Sequence, residues 1–457
     1  MPVRPTAALT PLLAVALAAT ALTACGTGSG SSPDTVKVSY KQSTDNSVKV
    51  MDTYLADMKE QFEQKHPGKK VEFVPIKAPD SEYYTKLQQM LRSPRTAPDL
   101  VYEDTFLINS DITSGYLRPL DAYLAKWPDW SRFMETAKAA AKGQDGKTYG
   151  VPDGTDTRGL WFDKRVFAKA GLPMDWQPKN WDDLLAAART IKKKVPGVTP
   201  LNVYTGKPAG ERSTMQGFEM LLYGTGDGSS DPLYDSATKK WFTAGQGFRD
   251  ALSFVETVYK EKLGPDVSDA LDPNFATTVN GELLPEGRLG IDLDGSWLPQ
   301  AWLPGSGHEW PDWSRRLGLA HMPTQHGQAP GKVSMSGGWT WSIPAKAANP
   351  GLAFDFIRTM QTKDNARKWY LANSGIAVRE DVAADPAYAG AQPGISFFTG
   401  LVAGTHYRPA YPAYPKVSTA VQEATESVTT GDRSVPEAAS EYDSTLQDVT
   451  GGRVVEK

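Results

Sequence analysis

VKVSY at residues 36–40, VEFVPI at 71–76 and LVY at 100–102 decide the fold. The first alternates apolar and polar side chains, the pattern of a half-buried strand. Met51, Tyr54, Leu55, Met58 and Phe62 then recur at helical spacing, and Pro67-Gly68 ends that helix. The second short strand follows, then a helix over 81–91 with Tyr84, Leu87 and Leu91 on one face, then the third strand. The order β-α-β-α-β predicts a parallel sheet with right-handed crossovers. Open sheets of this kind hold ligands beyond the carboxyl ends of their strands. Those ends here carry residues 41–45 and the acidic pair Glu103-Asp104.

A second unit starts near Gly150, and elements alternate throughout it. Residues 159–162 read as a strand, 164–170 as a short helix stopped by Gly171, and 181–194 as a helix capped by Asn180 and broken by Pro196-Gly197. Strands are expected at 201–204, 289–293 and 339–343. Helices are expected at 215–222, 248–259, 352–360, 364–371, 416–429 and 436–448. The class is α/β.

Composition narrows the function. Of the 457 residues 40% are apolar and 22% charged, ordinary values for a folded chain of two to three domains. The formal charge of −4 lacks the basic excess of a nucleic-acid protein. The single cysteine, Cys25, excludes an intrachain disulfide and a cysteine-based zinc site. Five histidines form no HExxH pair, and no P-loop or G-x-S-x-G elbow is present, so neither metal nor cofactor is expected. Thirteen Trp and eighteen Tyr imply a large aromatic core or flat rings shown to a ligand.

The first 25 residues read as an address. Arg4 supplies positive charge, and LLAVALAATAL at 12–22 is an apolar run too short to span a bilayer, which needs about 20 residues. LTACG at 22–26 resembles the lipobox of bacterial lipoproteins, in which cleavage leaves Cys25 at the new N-terminus for lipidation. Several acyl chains anchor stably where one is marginal. Residues 26–35 open with GTGSGSSP and form a flexible tether. The expected location is therefore the outer face of the cell membrane, with lipid as the only membrane contact.

YGVP at 149–152, LWFDK at 160–164, FAKAGLP at 167–173 and NWDDL at 180–184 resemble the central signature of the family 1 extracellular solute-binding proteins. These are the sugar-binding subunits of ABC importers, of the maltose-binding type. GIDLDGSW at 290–297, LGLAHMPT at 317–324 and SGGWTWSIP at 336–344 resemble later segments of the family, in order. The resemblance implies a periplasmic-binding-protein-like fold of type II, with two α/β lobes and a ligand cleft between them. It places crossovers near 152–158, 291 and 343. It implies a first lobe of 36–152 and 292–342, and a second of 153–291 and 343–457. It also implies a monomer that binds a carbohydrate, expected to be an oligosaccharide, works with ABC permease subunits and is not an enzyme.

A sugar presents hydroxyls at its rim and C–H faces above and below. Carboxylates and arginines suit the rim, and aromatic rings suit the faces. Trp297, after a Gly-Ser turn, is placed to project into the cleft or to pack under the hinge. Trp339 and Trp341 sit two apart on one strand and share a face, either cleft or core. Asp45, Glu103 and Asp104 follow strand ends. Thr155, Asp156 and Arg158 lie beside the expected hinge, where Asp156 and Arg158 either pair or hold hydroxyls. Arg379 follows a stretch resembling the family's cleft loop, and the Tyr407-Arg408-Pro409 loop with Tyr411 and Tyr414 is a candidate cap. Three rivals remain open, one of them a lipoprotein acting as a sensor or adhesin. Glu103/Asp104 or Asp292/Asp294 could serve an exported glycosidase, which needs two carboxylates flanking the bond. The same fold could also take a peptide or polyamine.

Overall fold

The computed structural model describes residues 32–226 and 231–457. The expected signal segment, Cys25 and the start of the tether lie outside the described residues. Strand Thr35–Ser39 pairs in parallel with Lys70–Phe73 on one side and Leu100–Asp104 on the other. Helices Val50–Lys65 and Asp80–Leu91 make the crossovers. The first buries Tyr54, Leu55, Met58 and Phe62, the stripe that its spacing predicts. Strand Gly338–Ser342 then adds antiparallel to Leu100–Asp104, and Gly150–Thr155 adds antiparallel to Gly338–Ser342. The result is a five-stranded mixed sheet rather than a purely parallel one.

The chain leaves this sheet at Thr155 and enters a second one at Arg158. There Arg158–Asp163 lies between Leu317–Ala320 and Leu289–Gly295, antiparallel to both, and Thr199–Asn202 pairs in parallel with the outer edge of Leu289–Gly295. Helices Trp181–Lys194, Gln246–Lys260, Tyr414–Thr430 and Val435–Thr450 bury their apolar faces in this second core. Asn180 Oδ1 accepts the backbone N–H of Asp183 at 2.8 Å, capping the first of them.

Two lobe boundaries differ from expectation. Leu289–Gly295 is buried at every position, so it needs neighbours on both edges, and it finds them in the second sheet. Residue 291 is therefore no crossover, and residues 292–320 belong to the second lobe. Ile343 is no crossover either. It sits in the first core with Trp341, Phe356 and Ile357 from the strand before it and helix Pro350–Met360 after it. The second crossing falls in 321–337, between Ala320 and Gly338. The third falls between Tyr388, in the first core, and Phe398, which packs with Trp161 in the second lobe. The expected helix at 215–222 is a wide π-helical segment, Arg212–Glu219, running into helix Met220–Thr225.

The two sheets meet where Gly338 passes the first crossing. Gly338 has φ +146°, and a Cβ there would lie 2.6 Å from the carbonyl oxygen of Gly154. Gly338→Ala should cost about 1–3 kcal/mol, since a backbone carbonyl cannot swing away as a side chain does. Urea denaturation followed by circular dichroism measures it. Asp153, on the same crossing strand, is 1% exposed. Gln361 Nε2 donates to its Oδ1 at 2.8 Å, while Oδ2 has no hydrogen-bond partner among the described residues. Burial pushes this carboxyl from the ordinary 3.8 up to about 8, against the pull of Tyr102, Trp341, Gln361 and Trp369. Between those two pH values the folded chain keeps a proton that the unfolded chain has released, so this group's contribution to stability falls as pH rises through the window. Asp153→Asn should flatten that decline and melt above the wild type on the alkaline side of it. Calorimetry across the window would read the difference.

Candidate functional site

A cavity of about 370 Å³ lies between the lobes, within the range of roughly 300–1,000 Å³ typical of small-molecule sites. The first lobe supplies its wall from strand ends and helix starts. Lys41, Gln42 and Thr44 follow the first strand, Asp52 and Asp80 sit in the first turns of two helices, and Tyr102 and Asp104 end the third strand. The floor is the first crossing, with Asp153, Thr155, Asp156 and Arg158. The second lobe contributes Arg212, Met215 and Gln216 from the π-helical segment, Trp297 and Gln300 from the turn after Leu289–Gly295, and Arg408 from the loop before Tyr414–Thr430. A widened helical turn of this kind frequently marks a functional segment.

Six of the ten expected ligand residues line the cavity. Asp104 faces it, with its Oδ2 accepting the Tyr84 hydroxyl at 2.6 Å and its Oδ1 accepting Arg408 Nη2 at 2.9 Å. Thr155 Oγ1 donates to the Gly337 carbonyl at 3.0 Å, and Gly337 N–H donates to Asp156 Oδ1 at 2.7 Å. Asp156 also forms an ion pair with Arg158. The Arg158 guanidinium lies 4.8 Å from the centroid of the Trp297 ring, so the indole carries a cation on one face. Trp339 is half-buried and stacks on Tyr102 at 4.7 Å and 7°.

The other four lie elsewhere. Trp341 is fully buried in the first core. It shares a face with Trp339, as two residues apart must, but lies deeper along the strand. Glu103 alternates to the opposite face from Asp104 and is fully buried, and both of its carboxylate oxygens lack hydrogen-bond partners among the described residues. Burial, with Asp111 beside it, pushes its carboxyl well above the usual range. Arg379 is tied down outside the cavity by Asp129, Asp381 and the Gln361 carbonyl. Asp45 stands at the rim, where its Oδ2 meets His308 Nε2 at 2.5 Å. Hydrogen bonds from Ser47, with His308 beside it, hold the Asp45 carboxyl down at about 2.

Neither acid pair of the glycosidase reading presents two carboxylates to the cavity. Glu103 points away, and Asp292 and Asp294 are buried behind it. Asn202 donates to Asp292 at 2.9 Å, and Tyr204 and Gln216 donate to Asp294 at 3.0 and 3.1 Å.

Sequence reading missed Asp80, Glu211 and Arg212, and reached Lys41 only as part of the region after the first strand. Asp80 contacts both Lys41 and Arg212. Burial alone would raise its carboxyl, but Arg212 and Lys41 hold it well below the ordinary value. Tyr414 and Ser418 donate to Glu211 at 2.8 and 2.6 Å, and Arg408 lies 3.4 Å away. Asp80 did carry a signal, since it precedes a helix that starts near the strand ends. Among the described residues no cluster of metal-ligating side chains occurs.

Residues 44–367 match the family model described as bacterial extracellular solute-binding protein. A putative binding protein of Brucella abortus (strain 2308) is 24% identical over 398 residues, covering 86% of this chain and 90% of that protein. Among solved structures, a solute-binding protein from Thermotoga lettingae TMO, bound with α-D-tagatose, superposes with a TM-score of 0.78 at 23% identity, covering 91% of this chain and 99% of that one. The maltose-bound MalE3 of T. maritima gives 0.77 at 20%, covering 91% and 100%. The GacH receptor of Streptomyces glaucescens, solved unliganded and with acarbose, gives 0.75 at 22%, covering 91% and 98%. These likenesses establish the type II binding-protein fold. A family of binding proteins also removes the enzyme reading. The chain belongs to the bacterial extracellular solute-binding protein family.

Proposed function

We propose that the protein captures an uncharged sugar, an oligosaccharide, between its lobes and delivers it to the membrane subunits of an ABC importer. The observation that carries this reading is the state of the charges in the cavity. Asp80 is matched by Lys41 and Arg212, Asp104 by Arg408, and Asp156 by Arg158. A polyamine or a zwitterionic peptide would have to break such pairs, and a buried charge stripped of its partner is costly. Sugar hydroxyls donate to carboxylates and accept from guanidinium groups without displacing either charge. Trp339 and Trp369 border the same space and supply the apolar area that C–H faces need. Solved structures of similar fold hold α-D-tagatose, maltose and acarbose, in keeping with the proposal.

We further propose that Cys25 is lipidated and tethers the mature chain to the outer face of the membrane, as a monomer. Cys25→Ser should abolish incorporation of radiolabelled palmitate and release the protein into the medium. Retention of label in the variant would refute the anchor. For the cargo, a thermal-shift panel of neutral sugars, uronates, peptides and polyamines tests the class, because a ligand that binds only the folded state raises its melting temperature. Stabilisation by neutral saccharides alone is expected; a shift with only peptides or polyamines would reassign the cargo. For the saccharide that binds, Trp339→Ala should weaken affinity about tenfold or more in titration calorimetry, equivalent to about 1.4 kcal/mol.

A further inference from the structure

Three ion pairs join the lobes, and among the described residues they are the ones that cross the cleft. Asp80 of the first lobe meets Arg212 of the second. Asp104 meets Arg408 at 2.9 Å. Asp45 meets His308 at 2.5 Å. In each, the first lobe gives the acid and the second lobe gives the base. Thr44 and Asn274 add a side-chain contact at 3.5 Å beside the Asp45–His308 pair.

One pair lies deeper than the other two. The side chains of Arg408 and Asp104 are 7% and 10% exposed, whereas those of His308 and Asp45 are 27% and 20% exposed. Arg212 and Asp80, at 28% and 17%, are as exposed as the His308 pair. Most members also keep a partner within their own lobe. Lys41 stays on Asp80, Tyr84 donates to Asp104, Glu211 stays near Arg408, and Ser47 donates to Asp45. Opening the cleft would therefore leave no carboxylate of the three alone in a dry site, which is what a reversible contact requires. Arg212 differs. Its ion pair is to Asp80 alone, across the cleft, and it stands at the head of the π-helical segment.

We propose that these three pairs form a polarised electrostatic latch that draws the lobes together, with Arg212 as its bolt. The latch sets the closed-to-open ratio, and through it the ligand affinity, of a site whose ligand is itself uncharged. The last clause rests on the sugar reading; the latch does not. Salt acts on the partly exposed outer pairs far more than on a buried one. The ligand-free chain should thus open as salt rises.

Small-angle X-ray scattering of the ligand-free protein tests this between about 0.01 M salt, where the Debye length is about 30 Å, and about 1 M, where it is about 3 Å. The radius of gyration should grow with salt. Arg212→Gln should lower the closed-to-open ratio about two- to five-fold at low salt, the reach of a partly exposed pair. Arg212→Lys, which keeps the charge, should restore most of it. A wild-type radius indifferent to salt, or an Arg212→Gln protein as closed as the wild type, overturns the latch; so does a wild type already open at low salt. Should Arg212→Gln fail to fold, the salt series on the wild type decides alone. No sugar enters the experiment, so its failure leaves the carbohydrate reading standing, and an empty sugar panel leaves the latch standing.

Discussion

The passage of Gly338 across Gly154 is the constraint on which the site depends. At this point the returning strand of the first sheet runs against the segment that leaves for the second sheet, and the two backbones come closer than any Cβ allows. The pairing register slips there, between Trp339 and Thr340. The close approach lets Gly337 exchange hydrogen bonds with Thr155 and Asp156 through its carbonyl and its N–H. One backbone contact therefore orients two polar residues on the cavity floor and aims Trp339 at the cavity wall. A side chain at Gly338 would disturb all of them together.

The same requirement for paired backbone explains how much of the fold could be read from the sequence. Local signals were sufficient where a helix face or a cap decides the element. The Tyr54–Leu55–Met58–Phe62 stripe and the Asn180 cap needed only their neighbours in sequence. Lobe membership is set instead by which distant strand supplies the missing edge. Residues 289–293 read as a strand, but nothing local says that residues 158–162 and 199–202 flank it. The segments 292–320 and 343–388 therefore fall in the lobe opposite to the expected one, although their secondary structure is legible.

Site residues divide in the same way. Strand parity puts Asp104 and Glu103 on opposite faces but does not say which face is the cleft, so both stood as candidates, and the strand-end rule reached Lys41, Thr44 and Asp104 as a region. Parity could not separate Trp339 from Trp341, which share a face and differ in depth. Arg212 escaped because a π-helical widening, with no recognised sequence mark here, turns it toward a partner 132 residues away. Arg379 misled because a buried arginine beside a loop looks alike whether it faces a ligand or, as here, Asp129 and Asp381.

The charges around the cavity reconcile two demands that conflict in a two-lobed binder. The proposed recognition of hydroxyls asks for ionised groups, while closing the lobes takes those groups out of water. Pairing every exposed acid with a base across or beside the cleft meets both, since the pair stays nearly neutral as it is desolvated and each member keeps lone pairs or N–H groups for a ligand. Trp297 extends the device to Arg158, whose guanidinium is held by the ring on one side and by Asp156 and the Met335 carbonyl through Nη1. An indole that supports an arginine in this way contributes to the site by positioning a donor, a role distinct from the open stacking platform that its place after a Gly-Ser turn suggests.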